Sequence, residues 1–247
     1  MVASLDAPYS GLKVTNTSSG NLNFLVNALA YSNGTAFNPE SAPTPRHRGR
    51  FYDNVYPRHW DKWLTKERYN VFGGTLLGNA SYALAQSGLR NLVHGINYTA
   101  TRPESPVQPF GGSGDYAISP DGSTYAFLSK APQLNKANFT ASYIYVGSFN
   151  GASPAEAING PETEASEAGH EGASGAPTFS PDGSKLAYIQ QDGDFYESDR
   201  WQLYVTDISN DGGNVSISNW KGLASSWNRS PDSIQWSPDS KSIFVTA

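Results

Sequence analysis

Only His47, His59, His94 and His170 could supply an imidazole base in this 247-residue chain. A hydrolytic triad needs such a base beside an activated serine, and an α/β-hydrolase serine sits in Gly-x-Ser-x-Gly at a strand-to-helix elbow. The nearest approaches are Gly111-Gly112-Ser113-Gly114-Asp115 and Gly172-Ala173-Ser174-Gly175-Ala176. Both lack the final glycine and neither follows a buried parallel strand, so both read as loop glycines. No histidine has a context that implies a triad base, and no His-Glu-x-x-His or close histidine pair marks a metal site. With no cysteine, thiolate chemistry, disulfides and Cys-based zinc sites are excluded. The chain alone is therefore expected to hydrolyse nothing and to use no cofactor. Binding chemistry remains. Tyr196-Glu197-Ser198-Asp199-Arg200 offers two carboxylates and a guanidinium, and Arg58-His59-Trp60-Asp61 with Trp63 puts an Arg, a His and two Trp within six positions. On the residues alone, the first reads as a solvated hairpin tip with a weak surface ion pair. The second reads as Trp60 and Trp63 packing an inter-strand segment, with Asp61 bonding a backbone amide or His59.

The elements that would position these clusters are announced by a repeated phrase. Ile118-Ser119-Pro120-Asp121-Gly122 returns as Phe179-Ser180-Pro181-Asp182-Gly183 and again as Trp236-Ser237-Pro238-Asp239-Ser240. Gly122 and Gly183 are 61 residues apart, and Gly183 and Ser240 are 57 apart. Each copy reads as a β-hairpin turn. Proline sets φ at the first turn position, aspartate bonds back to the turn amides, and glycine tolerates positive φ. Strand-like residues flank every copy. A hairpin at near-constant spacing, with room for two more strands between copies, describes the four-stranded blades of a β-propeller.

The expected fold class is all-β: a partial propeller of about three four-stranded blades plus the start of a fourth. The blades are placed at residues 10–95, 114–161, 176–220 and 232–247. The first opens with a hairpin from Leu12 to Tyr31, turning at Ser18–Asn21, in which Leu22, Phe24 and Val26 alternate as in a half-buried strand. It carries a long insertion holding Pro39, Pro43, Pro45 and the basic run Arg46-His47-Arg48-Gly49-Arg50, read as a solvated loop. Strands follow at Tyr69–Phe72 and Leu89–Val93. The second blade has an inner hairpin, Tyr116–Ser129, and an outer strand, Tyr143–Val146; the third holds Thr178–Gln190 and Trp201–Val205. Residues 162–175 read as a flexible surface loop. Phe24, Ala117, Phe127, Phe179, Tyr188, Trp236 and Phe244 are expected to face inward. A closed ring needs roughly 4–8 blades, so the chain reads as a piece of something longer with open strand edges.

Composition fits this reading. Thirteen per cent aromatic, 24 Gly, 16 Pro and one Met favour strands and turns over helices. Net charge −5 with 17 Lys and Arg gives no electrostatic footprint for nucleic acid or an anionic membrane. No apolar run is long enough to span a bilayer. Sequons at Asn16, Asn33, Asn79, Asn97, Asn138, Asn214 and Asn228 point to a secreted, glycosylated eukaryotic protein. Pro231 weakens the last of them. Met1-Val-Ala-Ser-Leu-Asp-Ala-Pro has neither the charged start nor the apolar core of a signal peptide. Either the protein is not secreted, or its N-terminus lies upstream.

Five ordered segments carry a family resemblance: Arg58–Leu64; Ser105-Pro106 with Pro109–Gly112; Lys136–Tyr145; Tyr196–Arg200; and Trp227–Ser233. Together they resemble the fungal dipeptidyl-peptidase V family, secreted serine peptidases of the prolyl oligopeptidase type, from about Ser10 to the C-terminus. The resemblance implies an N-terminal β-propeller followed by an α/β-hydrolase domain, here absent, and release of dipeptides from free N-termini of peptide substrates. It also implies an acidic hairpin reaching from the propeller toward the active-site cavity. Glu197 is then the candidate anchor for the substrate's ammonium. Asp199 assists it, or pairs with Arg200 to hold the hairpin. Two other functions fit a propeller: a non-catalytic interaction platform, and a glycosidase or lyase with acids around its central channel. A Gly-x-Ser-x-Gly beyond Ala247 separates the peptidase from both.

Overall fold

The structure is a computed structural model that describes residues 2–44, 49–52, 57–79, 81–151, 153–161, 163 and 171–247. Its strands in chain order are β1 (Ser10–Asn16), β2 (Leu22–Ala30), β3 (Arg58–His59), β4 (Lys62–Trp63), β5 (Arg68–Asn79), β6 (Ser81–Leu84) and β7 (Arg90–Asn91). After a 3-10 turn at Ser113–Asp115 come β8 (Tyr116–Ile118), β9 (Thr124–Lys130), β10 (Ser142–Ser148) and β11 (Glu156–Ala157). Then follow β12 (Ser174–Phe179), β13 (Lys185–Gln191), β14 (Trp201–Asp211), β15 (Asn214–Leu223), β16 (Ser233–Trp236) and β17 (Ile243–Thr246). All pairings are antiparallel. The sheets run β1-β2-β5-β6 with β7 also beside β5, then β8 to β11, β12 to β15, β16-β17, and the small β3-β4 hairpin. The all-β expectation holds.

The repeated phrase builds one turn three times, and its hub is serine. Ser119, Ser180 and Ser237 each donate a hydroxyl to the aspartate two residues on, at 2.5, 2.6 and 2.6 Å. The same oxygen accepts the N–H five residues on, from Thr124, Lys185 and Ser242. Each aspartate in turn caps an N–H of the turn, from Ser123, Ser184 and Lys241. Gly122 and Gly183 take positive φ, and Ser240 adopts φ 60° in the third copy. A non-glycine residue there is strained.

Neighbouring sheets are joined through these turns and through their faces. Asn23 donates to Gly122 O at 3.0 Å and Thr15 to Pro120 O at 2.6 Å, tying the first sheet to the first copy. Asp182 N–H donates to Ser240 Oγ at 3.1 Å, tying the second copy to the third. One core joins Leu25, Val71 and Leu92 of the first sheet to Tyr116, Phe127 and Tyr145 of the second. Another joins Ile144 and Val146 of the second to Leu186, Tyr188 and Tyr204 of the third. There Tyr188, Tyr204 and Trp220 stack at 5.7 and 5.1 Å, and the Trp220 indole N–H donates to the Tyr188 hydroxyl.

Several expectations need correction. β2 is buried on both faces rather than half-buried. Leu25 faces the second sheet, while Phe24, Val26, Ala28 and Ala30 pack against Phe72 and its neighbours. The expected Tyr69–Phe72 strand extends to Asn79, and the Leu89–Val93 strand shrinks to Arg90–Asn91. β12 starts at Ser174, inside the segment read as a loop, because Ser174 exchanges hydrogen bonds with Ser142 of β10. Residues 162 and 164–170, including His170, lie outside the described residues, as do Pro45, Arg46, His47 and Arg48. Of the expected inward residues, Phe24, Ala117, Phe127, Phe179 and Tyr188 are buried, Trp236 is half-buried, and Phe244 is 63% exposed. Phe244 lies in a two-stranded sheet with little to cover it.

Candidate functional site

The five segments are linked to one another through their loops. The β13–β14 loop, residues 192–200, is fixed by Asp194. Its Oδ1 accepts the N–H groups of Thr140, Ala141 and Phe195 and the Thr140 hydroxyl, at 2.7 to 2.9 Å. Burial alone would push the Asp194 carboxyl up, but these donors outweigh it and hold it below the usual range. The Phe139 and Phe195 rings meet at 4.9 Å over this joint. The same loop reaches the last segment, where the Arg200 guanidinium donates to Ser225 O and Trp227 O at 3.2 and 2.6 Å.

Within the loop, Gln191 donates to the carbonyls of Glu197 and Asp199 at 3.0 and 2.8 Å. The Asp199 carboxylate accepts from Gly193 N–H and Arg200 N–H at 3.1 and 2.7 Å. Asp199 and Arg200 thus direct their charges to backbone groups, while Glu197 is exposed. Tyr196 and Phe195, at 63% and 67% exposed, flank it as an aromatic rim.

The β3–β4 hairpin comes to the same region. Trp60 turns it at φ 54° and meets Phe110 edge-on at 5.5 Å, remaining 68% exposed. His59 is half-buried and bonds to the Gln108 backbone. Its imidazole is held below the usual range by burial first and then by Lys136 and Lys130; Glu197 and the Gln108 bond oppose this. Lys130 feels the same surroundings: burial lowers its ammonium, Asp194 and Glu197 pull it up, and Lys136 adds to the lowering. Lys130 donates to Thr140 O at 2.8 Å, and Lys136 pairs with the nearly buried Glu104 at 3.2 Å. Trp63 is stacked on Tyr52, with Arg50 and Arg58 guanidiniums over its ring, yet it stays 52% exposed, so neither Trp60 nor Trp63 is buried as expected.

The result is a charged face rimmed by exposed aromatics, on which Glu197, His59, Lys130, Lys136 and Asp194 share one electrostatic environment. It can pair a cation with Glu197 and seat apolar groups against the rim. Sequence reasoning singled out Glu197 and His59 but missed Asp194, Lys130, Lys136 and Glu104. The Asp192-Gly193-Asp194 run just ahead of the hairpin was the available signal for the loop's anchor. His94 lies elsewhere, with its ring against Gly34. Among the described residues, no cluster of three or more His, Asp or Glu could hold a metal. The six sequon asparagines whose side chains are described, Asn16, Asn33, Asn97, Asn138, Asn214 and Asn228, are all exposed.

No family model matches the chain. Curated relatives do, over nearly all of it, and they bear the name that the five segments point to. Dipeptidyl-peptidase 5 of Aspergillus fumigatus is 46% identical over 246 residues, covering 98% of this chain and 33% of the relative. A probable dipeptidyl-peptidase 5 of Aspergillus clavatus is 44% identical over 245 residues, covering 98% of this chain and 32% of the relative. Dipeptidyl-peptidase 5 of Aspergillus oryzae is 41% identical over 247 residues, covering 98% and 33%. The chain thus spans about a third of the length of the relatives it matches. A crystal structure from Bacteroides uniformis aligns with 99% of this chain and 79% of its own at a TM-score of 0.36 and 12% identity, too slight a likeness to carry an argument. No helix among the described residues is long and apolar enough to cross a membrane.

Proposed function

We propose that this chain is part of the β-propeller of a secreted, serine-type dipeptidyl-peptidase, and that Glu197 pairs with the free N-terminal ammonium of its peptide substrates. The observation that carries this reading is the exposed Glu197 carboxylate on a loop braced by Asp194, Gln191 and Arg200, within electrostatic reach of His59 and Lys130. An enzyme that removes dipeptides must measure two residues from a free amine, and a carboxylate fixed in place does so through a charge-assisted bond. Blades at residues 10–95, 114–161, 176–220 and 232–247 account for the successive meanders and their three matching turns. The catalytic serine, its base and most of the pocket for the substrate's second residue belong to the remaining two thirds of the relatives' length. The chain alone is accordingly inactive. Exposed sequons support a glycosylated, secreted protein.

The test is Glu197→Gln in the full-length protein, which removes charge and keeps shape. kcat/KM for free-amine peptides should fall roughly 10- to 100-fold, corresponding to about 1.5–3 kcal/mol. N-acetylated peptides, already poor, should lose little more. An unchanged ratio of the two removes Glu197 from the site, and a full-length protein without peptidase activity favours the interaction platform.

A further inference from the structure

The loop that receives the β3–β4 hairpin is itself held from beneath by a half-buried carboxyl. Val107 N–H donates to Asp115 Oδ2 at 2.8 Å, and Gly111 N–H closes the turn onto Val107 O at 2.7 Å. The turn lies so close on the carboxyl that a Cβ at Gly111 would sit 2.4 Å from Asp115 Oδ2 and nearer still to Val107 O. Only glycine fits. Val107 packs against the core between the second and third sheets. From the outer side of the same turn, Gln108 offers its backbone to His59, and Phe110 meets Trp60. Among the described residues Asp115 bonds to Val107 N–H and feels Lys13, both away from Glu197.

We propose that Asp115 is a positioning residue for that face: by accepting the Val107 N–H under the 107–111 turn, it holds Gln108 and Phe110 where they seat His59 and Trp60 beside Glu197. The effect on substrate rests on the reading of Glu197 given above; the effect on the turn does not. Around Asp115 the charged and titratable groups are Lys13 of β1, which donates to Tyr116 O, and the Tyr116 hydroxyl, bonded to Asn27 and Gly11. Burial raises the Asp115 carboxyl to about 6, against the Val107 bond and Lys13. A group raised in the closed state favours closure below its ordinary pKa, and that contribution is lost as pH rises through the raised value. The turn is therefore held most firmly in acid and loosens between about pH 4 and pH 6.

The experiment uses the full-length protein with wild-type Asp115, Asp115→Asn, which keeps an acceptor but cannot ionise, and Asp115→Ala. Amide exchange at Val107 and Gly111, corrected for its intrinsic pH dependence, should lose on the order of 10- to 100-fold protection between pH 4 and 7 in the wild type. It should stay flat in Asp115→Asn. KM for free-amine peptides should rise across the same range in the wild type only, with kcat little changed, and Asp115→Ala should raise KM at every pH. Wild-type exchange at Val107 and Gly111 in Asp115→Ala, or in the isosteric Asp115→Leu should the alanine variant not fold, would overturn the proposal, and matching profiles in wild type and Asp115→Asn would remove its pH dependence alone. Exchange that follows Asp115 while KM does not would leave the turn's anchor standing and remove its link to substrate, and Glu197→Gln reports separately on the peptidase reading.

Discussion

Asp194 accepts both the N–H and the hydroxyl of Thr140 at 2.7 and 2.8 Å, across 54 residues and between two different sheets. This joint fixes the loop bearing Glu197 to the segment bearing Lys130's acceptor. It also gives the first expectation. Asp194→Ala leaves three N–H groups and a hydroxyl without their acceptor and should cost about 1–3 kcal/mol in urea unfolding. Asp194→Asn should cost less at neutral pH. The wild-type carboxyl is depressed, so its contribution is present above the unfolded pKa and lost as pH falls through the folded one. The gap between wild type and Asp194→Asn should therefore hold above about pH 5 and close in stronger acid.

The serine hubs are expected to matter more than the prolines beside them. Ser180 is fully buried and both donates to Asp182 and accepts from Lys185. Ser180→Ala strands both partners and should lower stability by about 1–3 kcal/mol.

Ser240 tests backbone strain against one hydrogen bond. Ser240→Ala removes the acceptor of Asp182 N–H and keeps the positive φ, whereas Ser240→Gly removes both. The glycine variant should be the more stable of the two by about 1 kcal/mol. Equal midpoints would show that φ 60° costs nothing here.

The Glu104–Lys136 pair is nearly buried, so removing one partner should be worse than removing both. Glu104→Gln should cost about 3–5 kcal/mol, and Glu104→Leu with Lys136→Met far less. Additive losses in the double-mutant cycle would mean that the two charges do not depend on each other.

Expressed by itself, the 247-residue chain should associate. β1 pairs only with β2 and shows Leu12 at 67% and Val14 at 53% exposure, and β17 pairs only with β16 and shows Phe244. Unpaired edges bearing apolar side chains invite pairing between copies. Sedimentation of a monomer would refute this, and Val14→Lys with Phe244→Lys should shift the distribution toward monomer.

Much of the frame could be read from residue order. The Ser-Pro-Asp-Gly phrase carries its own turn, since every bond in it spans five residues or fewer, and strand periodicity placed β8 to β10 and β13 to β14. Local signals misjudged β2, whose Asn23 and Asn27 looked solvent-facing. They are buried because Gly122 O, 99 residues from Asn23, and the Tyr116 hydroxyl, 89 residues from Asn27, come to meet them. β12 began early for the same reason, its partner being Ser142, 32 residues back.

By itself the sequence determined an all-β chain of repeated hairpins, with no hydrolytic motif and with an acidic loop between two strands. Only the tertiary structure decided that residues 58–61, 107–111, 136–140 and 194–200 converge, that Asp199 and Arg200 turn to backbone groups while Glu197 stays open, and that Asp115 lies beneath the turn. The physical reason is range. Turn geometry depends on neighbours along the chain, whereas burial and charge depend on which sheets stack, and that is fixed by aromatic cores whose members lie far apart in the sequence.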